Sequence, residues 1–136
     1  MSRIIVSLIG VFVVLHGLVH LLYVAQSQRL FELQPGLDWP AGSWAFSGPL
    51  GDEVTRLLAS LTFAVVAVGL MAGGAGLLLR ATWWRPLVVG SSALSAVMIL
   101  LLWNGTLESL DDQGILGLLI DGVLLIAVLV LRWPII

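Results

Sequence analysis

Long apolar stretches separated by shorter polar segments dominate the pattern of this chain. Four such stretches lie at about residues 4–25, 54–79, 84–103 and 114–131. Each is close to the ~20 residues that an α-helix needs to cross the hydrocarbon core of a bilayer. The pattern therefore predicts an all-α fold, an integral membrane up-down four-helix bundle, in one domain that covers residues 1–136.

The connection between the first two stretches, residues 26–53, is much longer than the other two. It contains Pro35, Pro40 and Pro49, which interrupt helices, together with apolar anchors such as Trp39. Loops of this length often carry function. We therefore expect a long outer segment that lies at the membrane interface as a lid, with a plain linker between two helix ends as the alternative.

Composition indicates that water is not the main solvent of the chain. Hydrophobic residues make up 60% and charged residues 10%, whereas a soluble domain carries about a quarter charged residues. The lack of cysteine excludes disulfides and thiolate chemistry. The formal net charge of −2 gives no sign of a nucleic-acid partner. The expected partner is the lipid bilayer.

The distribution of charges predicts the orientation of the bundle. One side of the predicted membrane carries four arginines and no acid: Arg3, Arg80, Arg85 and Arg132. The opposite side carries two arginines and seven acids: Arg29, Arg56, Glu32, Asp38, Asp52, Glu53, Glu108, Asp111 and Asp112. Because Arg and Lys beside membrane spans prefer the cytoplasm, both termini are expected to be cytoplasmic. The chain has six Arg and no Lys, which is typical of a GC-rich coding bias and indicates a bacterial source. The expected location is therefore the bacterial plasma (inner) membrane.

Small residues mark the faces on which the helices should pack. The second stretch contains Gly69, Gly73, Gly74 and Gly76. Association in a membrane depends on close backbone approach at such residues, because lipid tails are as apolar as leucine. The pattern predicts tight helix contacts within the chain or with another subunit.

Three ionisable side chains fall inside the predicted spans: His16, His20 and Asp121. Each costs about 2.5–3.5 kcal/mol to insert, so it should face the bundle interior and have a partner. His16 and His20 are four residues apart and share one helix face, which Tyr23 continues. A rise of ~1.5 Å per residue places His16 and Asp121 at similar depth, which predicts a hydrogen bond between the first and fourth helices.

Further polar residues lie near the outer ends of the other spans. Glu53 and Arg56 begin the second span, and Asn104 follows the third. The inner half of the bundle has no charge within the membrane. The sequence therefore predicts a polar pocket that opens outward beneath residues 26–53, with these side chains as ligand-binding or proton-relay candidates.

Three interpretations of the two histidines and Asp121 stay open. They can form a structural network that pairs helices. They can bind a quinone or a similar amphipathic ligand, with a histidine donating to a carbonyl oxygen and Asp121 fixing its tautomer or relaying its proton. They can also hold a divalent metal, because two His nitrogens and a carboxylate supply three ligands and leave a position for water. The metalloprotease motif is absent between the histidines, and no catalytic residue is assigned.

Two short stretches carry a resemblance to a known family. They are Leu15 to Leu22, with the sequence LHGLVHLL, and Trp103-Asn104-Gly105 before a last span whose polar residue is Asp121. With these stretches and its four-span layout, the chain resembles the small bacterial membrane proteins grouped as DoxX-like. The resemblance implies a membrane-embedded accessory or redox-associated subunit, although the long outer segment departs from that layout.

The sequence thus leads to two hypotheses about function. The first is a small accessory subunit of a larger, redox-associated membrane assembly, in contact with other membrane subunits or with copies of itself. The alternative is a stand-alone membrane enzyme that binds a quinone or a divalent metal through His16, His20 and Asp121.

Overall fold

The structure of the chain, a computed structural model, describes residues 1–32 and 35–136 and is helical throughout its regular parts. Its four helices are α1 (Arg3–Ser27), α2 (Ser47–Leu78), α3 (Trp84–Leu102) and α4 (Ile115–Leu125). A short 3-10 turn precedes α4 and a π-helical turn continues it: Leu110–Gln113 and Ile126–Val130. The described residues form no strand, and the all-α prediction is confirmed.

Three of the four helices are long and apolar enough to cross a membrane. The mean hydropathies of α1, α2 and α3 are 2.5, 2.1 and 1.8, whereas α4 with its π turn forms a shorter apolar helix. Large apolar side chains such as Leu15, Val65 and Leu119 are more than half exposed. Extensive apolar surface of this kind is typical of contact with lipid. The helices therefore fit a membrane location.

Consecutive helices pack against each other in chain order, α1 on α2, α2 on α3 and α3 on α4. The chain reverses direction at each connection. One end of the bundle, called here the loop end, carries residues 28–32, 35–46 and 103–114. The other, called the terminal end, carries both termini and the turn at residues 79–83.

The start of α2 differs from the prediction. The helix begins at Ser47 instead of near residue 54, so the described irregular part of the outer segment comprises residues 28–32 and 35–46. Gly51 interrupts the helix with φ 78° and ψ 163°. Because glycine adopts positive φ without steric cost, the chain bends there and resumes the helix at once. A first helical turn before the bend therefore belongs to α2.

The buried apolar side chains form two clusters, one in each half of the bundle. The terminal-end cluster contains Val6, Val13, Val66, Leu70, Leu77, Trp84, Val88, Leu124 and Val128. The loop-end cluster contains Tyr23, Trp39, Ala59, Phe63, Met98, Ile99 and Leu102. The ionisable residues of α1 and α4 lie between the two clusters.

Glycines allow α1 and α2 to approach closely. A Cβ atom at Gly74 would lie 2.7 Å from the carbonyl oxygen of Gly10 and 2.8 Å from the backbone nitrogen of Val14. Both atoms are backbone, so they cannot move aside by side-chain rotation. Gly73 faces α3 in the same way, with a Cβ position 2.7 Å from Val88 Cγ2. The predicted packing role of these small residues within the chain is confirmed.

Gly74→Ala is expected to destabilise the bundle. Overpacking against a fixed backbone costs roughly 1–3 kcal/mol, so the thermal midpoint in detergent should fall. Gly122→Ala is the matched control, because a Cβ there meets nothing within 4 Å and replacing a helical glycine by alanine usually stabilises by about 0.5–1 kcal/mol. Equal midpoints for the two variants would contradict the close approach of α1 and α2.

Candidate functional site

Four buried polar side chains from α1, α3 and α4 meet between the two apolar clusters. They are His16, His20, Ser95 and Asp121, called here the polar cluster. His16 Nε2 donates to Asp121 Oδ1 at 2.8 Å, and His20 Nε2 lies 2.7 Å from Ser95 Oγ. His20 Nε2 is also 4.0 Å from Asp121 Oδ2. The predicted hydrogen bond between His16 and Asp121 is therefore present.

All four side chains of the polar cluster are buried inside the bundle. His16 is 3% exposed, and His20, Ser95 and Asp121 are 0% exposed. The i, i+4 spacing of the histidines places their rings one helical turn apart, with centroids 4.8 Å apart and planes at 81°. Close packing of α1 on α2 forces this face inward, because Gly17 sits directly against Met71.

The hydrogen bonds of His20 define its tautomer. His20 Nδ1 lies 2.9 Å from the carbonyl oxygen of His16. A carbonyl oxygen accepts only, so Nδ1 holds the proton and donates it to this bond. In the neutral ring Nε2 is then an acceptor, and the Ser95 hydroxyl donates to it. The single lone pair of His20 Nε2 is therefore occupied by the Ser95 hydroxyl.

Two polar atoms of the polar cluster have unused hydrogen-bonding capacity. Asp121 Oδ2 and His16 Nδ1 are buried and have no hydrogen-bond partner among residues 1–32 and 35–136. A buried polar atom left in this state costs roughly 1–3 kcal/mol, and more when it is charged. The polar cluster can therefore bind a further cation or hydrogen-bond donor.

An aromatic layer separates the polar cluster from the loop end. The Tyr23 ring lies 5.2 Å from that of His20 and 5.2 Å from that of Phe63, centroid to centroid. Trp39 covers both, at 5.6 Å from Tyr23 and 5.8 Å from Phe63, and is only 1% exposed. The part of the outer segment that contains Trp39, residues 35–46, is called here the lid segment. Trp39 closes the bundle at this end.

The cavity at the loop end lies above this aromatic layer. It has a volume of about 430 Å³, and its lining includes Asp38, Trp39, Asp52, Asn104 and Glu108. A polar, acidic cavity opens at the predicted end of the bundle, but Trp39 forms its floor and the polar cluster does not line it. The predicted pocket beneath the outer segment is thus divided into an open cavity and the buried polar cluster. Trp39 separates the two, because the lid segment folds down into the bundle.

Arg56 holds the lid segment in place and does not join the polar cluster. Its Nη2 donates to the carbonyl oxygen of Asp38 at 2.8 Å. Its Nη1 donates to the carbonyl oxygens of Gln26 and Ser27 at 3.5 Å and 3.4 Å, at the end of α1. Arg56 is 7% exposed. It therefore links α1, α2 and the lid segment through backbone carbonyls.

Two other predicted site residues also lie away from the polar cluster. Glu53 is exposed and lines a separate cavity of about 710 Å³ between the ends of α1 and α2. Asn104 Oδ1 accepts from the backbone nitrogen and the hydroxyl of Thr106, both at 2.9 Å, and so shapes the loop after α3. Of the predicted candidates, the structure brings His16, His20, Tyr23 and Asp121 together.

Ser95 and Gln26 are two contributors that sequence reasoning did not assign to the site. Ser95 is one of a run of small residues in α3 that predicts packing, and the same position supplies the hydroxyl that orients His20. Gln26 Nε2 donates to the carbonyl oxygen of Trp39 at 3.2 Å. The sequence feature that could have identified Gln26 is its spacing of three residues from Tyr23, which places both side chains on the same buried face near the end of α1.

Comparison with models of protein families, with curated proteins and with solved structures finds no match to this chain. The DoxX-like resemblance stays a prediction.

Arg56→Gln is expected to loosen the lid segment. Hydrogen bonds to a charged group contribute about 1.5–3 kcal/mol each, and a loss of about 2 kcal/mol corresponds to roughly thirty-fold faster local opening. Hydrogen exchange of the Ala41 amide, which donates to the carbonyl oxygen of Asp38, measures this opening. Arg29→Gln is the control, since Arg29 is exposed at the same end. Equal exchange in both variants would contradict the role of Arg56.

Proposed function

We propose that the chain is a four-span protein of the bacterial inner membrane and that its polar cluster binds one divalent transition-metal ion. The three long apolar helices support the membrane location. The fourth span comprises α4, the π turn and the residues beside them. Its regular part is shorter than a bilayer core, and local thinning of the bilayer accommodates such a span at modest cost.

Charge supports an orientation with both termini in the cytoplasm. The terminal end carries Arg3, Arg80, Arg85 and Arg132 without an acid, and the loop end carries seven acids. The positive-inside rule then places the terminal end in the cytoplasm and the lid segment outside.

The observation that carries the metal proposal is the convergence of three buried potential ligands, two imidazoles and one carboxylate. One donor atom each from His16, His20 and Asp121 lies within 4.8 Å of the others. Asp121 Oδ2 and His16 Nδ1 have no hydrogen-bond partner in the described parts of the chain. A cation beside Asp121 Oδ2 would compensate that oxygen, and His20 Nε2 would bind the cation in place of the Ser95 hydroxyl.

The polar cluster must contract to hold a single ion. Metal-to-ligand distances of about 2.1 Å place two ligand atoms about 3.4 Å apart at the tetrahedral angle. The largest separation here is 4.8 Å, so the donor atoms would approach one another by about 1.4 Å through rotation of the side chains. Nitrogen and carboxylate donors suit zinc, iron or manganese.

Hydrogen bonds already orient the proposed ligands. His20 Nδ1 donates to the carbonyl oxygen of His16 at 2.9 Å, which is a usual way in which the second nitrogen of a metal-binding histidine is held. Ser95 Oγ, at 2.7 Å from His20 Nε2, is in reach as a further oxygen ligand or as a partner of a coordinated water. The aromatic layer of Tyr23, Phe63 and Trp39 restricts access of bulk water.

The same layer favours a metal ion over a quinone. The loop-end cavity stops at Trp39, and the Tyr23 and Phe63 rings occupy the space beside His20. A quinone ring would have to displace these side chains, whereas one ion occupies the gap between the donor atoms. The accessory-subunit hypothesis stays a prediction, because no described contact identifies a partner.

Metal content of the purified chain tests the proposal. After loading with Zn²⁺ and dialysis, elemental analysis should find about one ion per chain, and Asp121→Asn should bind at least about ten-fold more weakly because it loses an anionic ligand. Asp111→Asn is the matched control, the same change at an exposed carboxylate. His20→Gln should also lose the ion.

The competing result is a structural network. If the unsubstituted protein takes up no more zinc, manganese or iron than Asp121→Asn, while that variant merely unfolds at lower temperature, the polar cluster pairs helices and binds no metal. Thermal midpoints with and without added metal separate these outcomes, because an ion that binds the folded state raises the midpoint.

Membrane topology has its own test. The chain has no cysteine, so single cysteines can be introduced at exposed positions of each end. Leu30→Cys and Leu107→Cys should react with an impermeant maleimide from the periplasmic side of spheroplasts. Ser2→Cys and Thr82→Cys should react after permeabilisation. The reverse pattern, or equal labelling of all four, would contradict the proposed orientation.

A further inference from the structure

A second site lies at the terminal end, between the start of α3 and the end of α4. It is a cavity of about 360 Å³ lined by Arg85, Pro86, Val89, Val128, Leu129 and Arg132. The two arginines lie at the ends of their helices. The valines and Leu129 lie about one helical turn deeper into the bundle. The cavity thus combines a cationic rim with apolar walls.

The rim has positive charge that no acidic side chain among residues 1–32 and 35–136 pairs with. Arg85 Nη2 donates to the carbonyl oxygens of Arg132 and Pro134, at 3.1 Å and 3.4 Å, and its guanidinium carbon lies 5.3 Å from the Trp84 ring centroid. These contacts fix Arg85 in place without an acid. The Arg132 side chain is exposed and has no ion pair among the described residues.

The backbone departs from regular helix where it borders this cavity. Val128 and Leu129 belong to the π-helical turn Ile126–Val130. Turns of this kind are rare and occur frequently at functional sites. Here the wider turn lies directly below Arg132 and forms one apolar wall of the cavity.

We propose that this cavity binds an anionic phospholipid, with the phosphodiester held by Arg85 and Arg132. Guanidinium groups bind phosphate oxygens through paired charge-assisted hydrogen bonds. An acyl chain would run along Val89, Val128 and Leu129, away from the arginines and toward the middle of the bundle. Basic pockets between helices on the cytoplasmic side are suited to anionic head groups. The inference rests on the proposed membrane topology and is independent of the metal site.

Lipid retention by the full chain tests this site. The detergent-purified protein is mixed with equimolar phosphatidylglycerol and phosphatidylcholine of identical acyl chains, and the bound lipids are counted by native mass spectrometry. Phosphatidylglycerol should be retained preferentially. Arg132→Gln should reduce this preference about five-fold, the ratio equivalent to the ~1 kcal/mol that one arginine contributes near an anionic leaflet.

Arg80→Gln is the matched control, because Arg80 is exposed at the same end and does not line the cavity. It should leave the preference within two-fold of the unsubstituted protein. An equal loss in both variants would show that general surface charge attracts the lipid and would overturn the proposal. Arg132→Lys, which keeps the charge but loses the planar donor fork, should fall between the two glutamine variants.

Two further measurements distinguish lipid binding from binding of free phosphate, and the lipid proposal from the proposed membrane topology. If millimolar inorganic phosphate displaces phosphatidylglycerol, the site binds free anions and the lipid proposal fails. If the chain is absent from carbonate-washed membranes, the topology is wrong. If it is present there but shows no lipid preference, the lipid site alone is wrong. Zinc content should be the same for Arg132→Gln and the unsubstituted protein.

Discussion

The hydrogen bond between His16 and Asp121 is the interaction on which the closed arrangement of the helices depends. Helices that are adjacent in the sequence pack against each other over many residues, whereas α1 and α4 meet through a few side chains. Besides this bond, the Tyr23 ring packs beside Gly117. An ionised carboxylate in apolar surroundings is costly without a partner, so removing His16 would leave Asp121 uncompensated.

The apolar clusters on both sides of the polar cluster determine how strongly its polar atoms interact. Below it lie Val13 and Leu124, and above it lies the aromatic layer under Trp39. Such surroundings strengthen any electrostatic interaction that is made and penalise any polar atom that is left unpaired. Asp121 Oδ2 and His16 Nδ1 are the two atoms of the polar cluster to which this penalty applies.

The two ends of the bundle differ in how their charged side chains are arranged. At the loop end, Arg56 is buried and donates hydrogen bonds to backbone carbonyls of the lid segment and α1, while Asp38, Asp52 and Glu108 line an open cavity. At the terminal end, Arg85 and Arg132 flank an apolar cavity with no acid beside them. Since exposed charges of one sign attract counter-ions, the first end favours cations and the second favours anionic lipid.

Much of the architecture followed from the sequence because it depends on local periodicity. The apolar stretches mark the helices, and the four-residue spacing of His16 and His20 places both on one face. The constant rise of a helix sets the depths of His16 and Asp121, so even this long-range pair could be predicted. The charge asymmetry of the two ends is likewise a property of the sequence. None of these inferences requires knowledge of how a loop folds.

Other features were decided by the tertiary structure, because they depend on irregular backbone that has no periodic signal. The sequence predicts a lid but cannot show that Trp39 fills the bundle mouth and seals it. Arg56 looked like a site residue, yet it binds carbonyls that become available only when α1 ends and the lid segment folds back. Ser95 became a partner of His20 through the packing of α3. The amino-acid sequence determined a helical, apolar chain with buried histidines, and the folded chain decided which polar groups they meet.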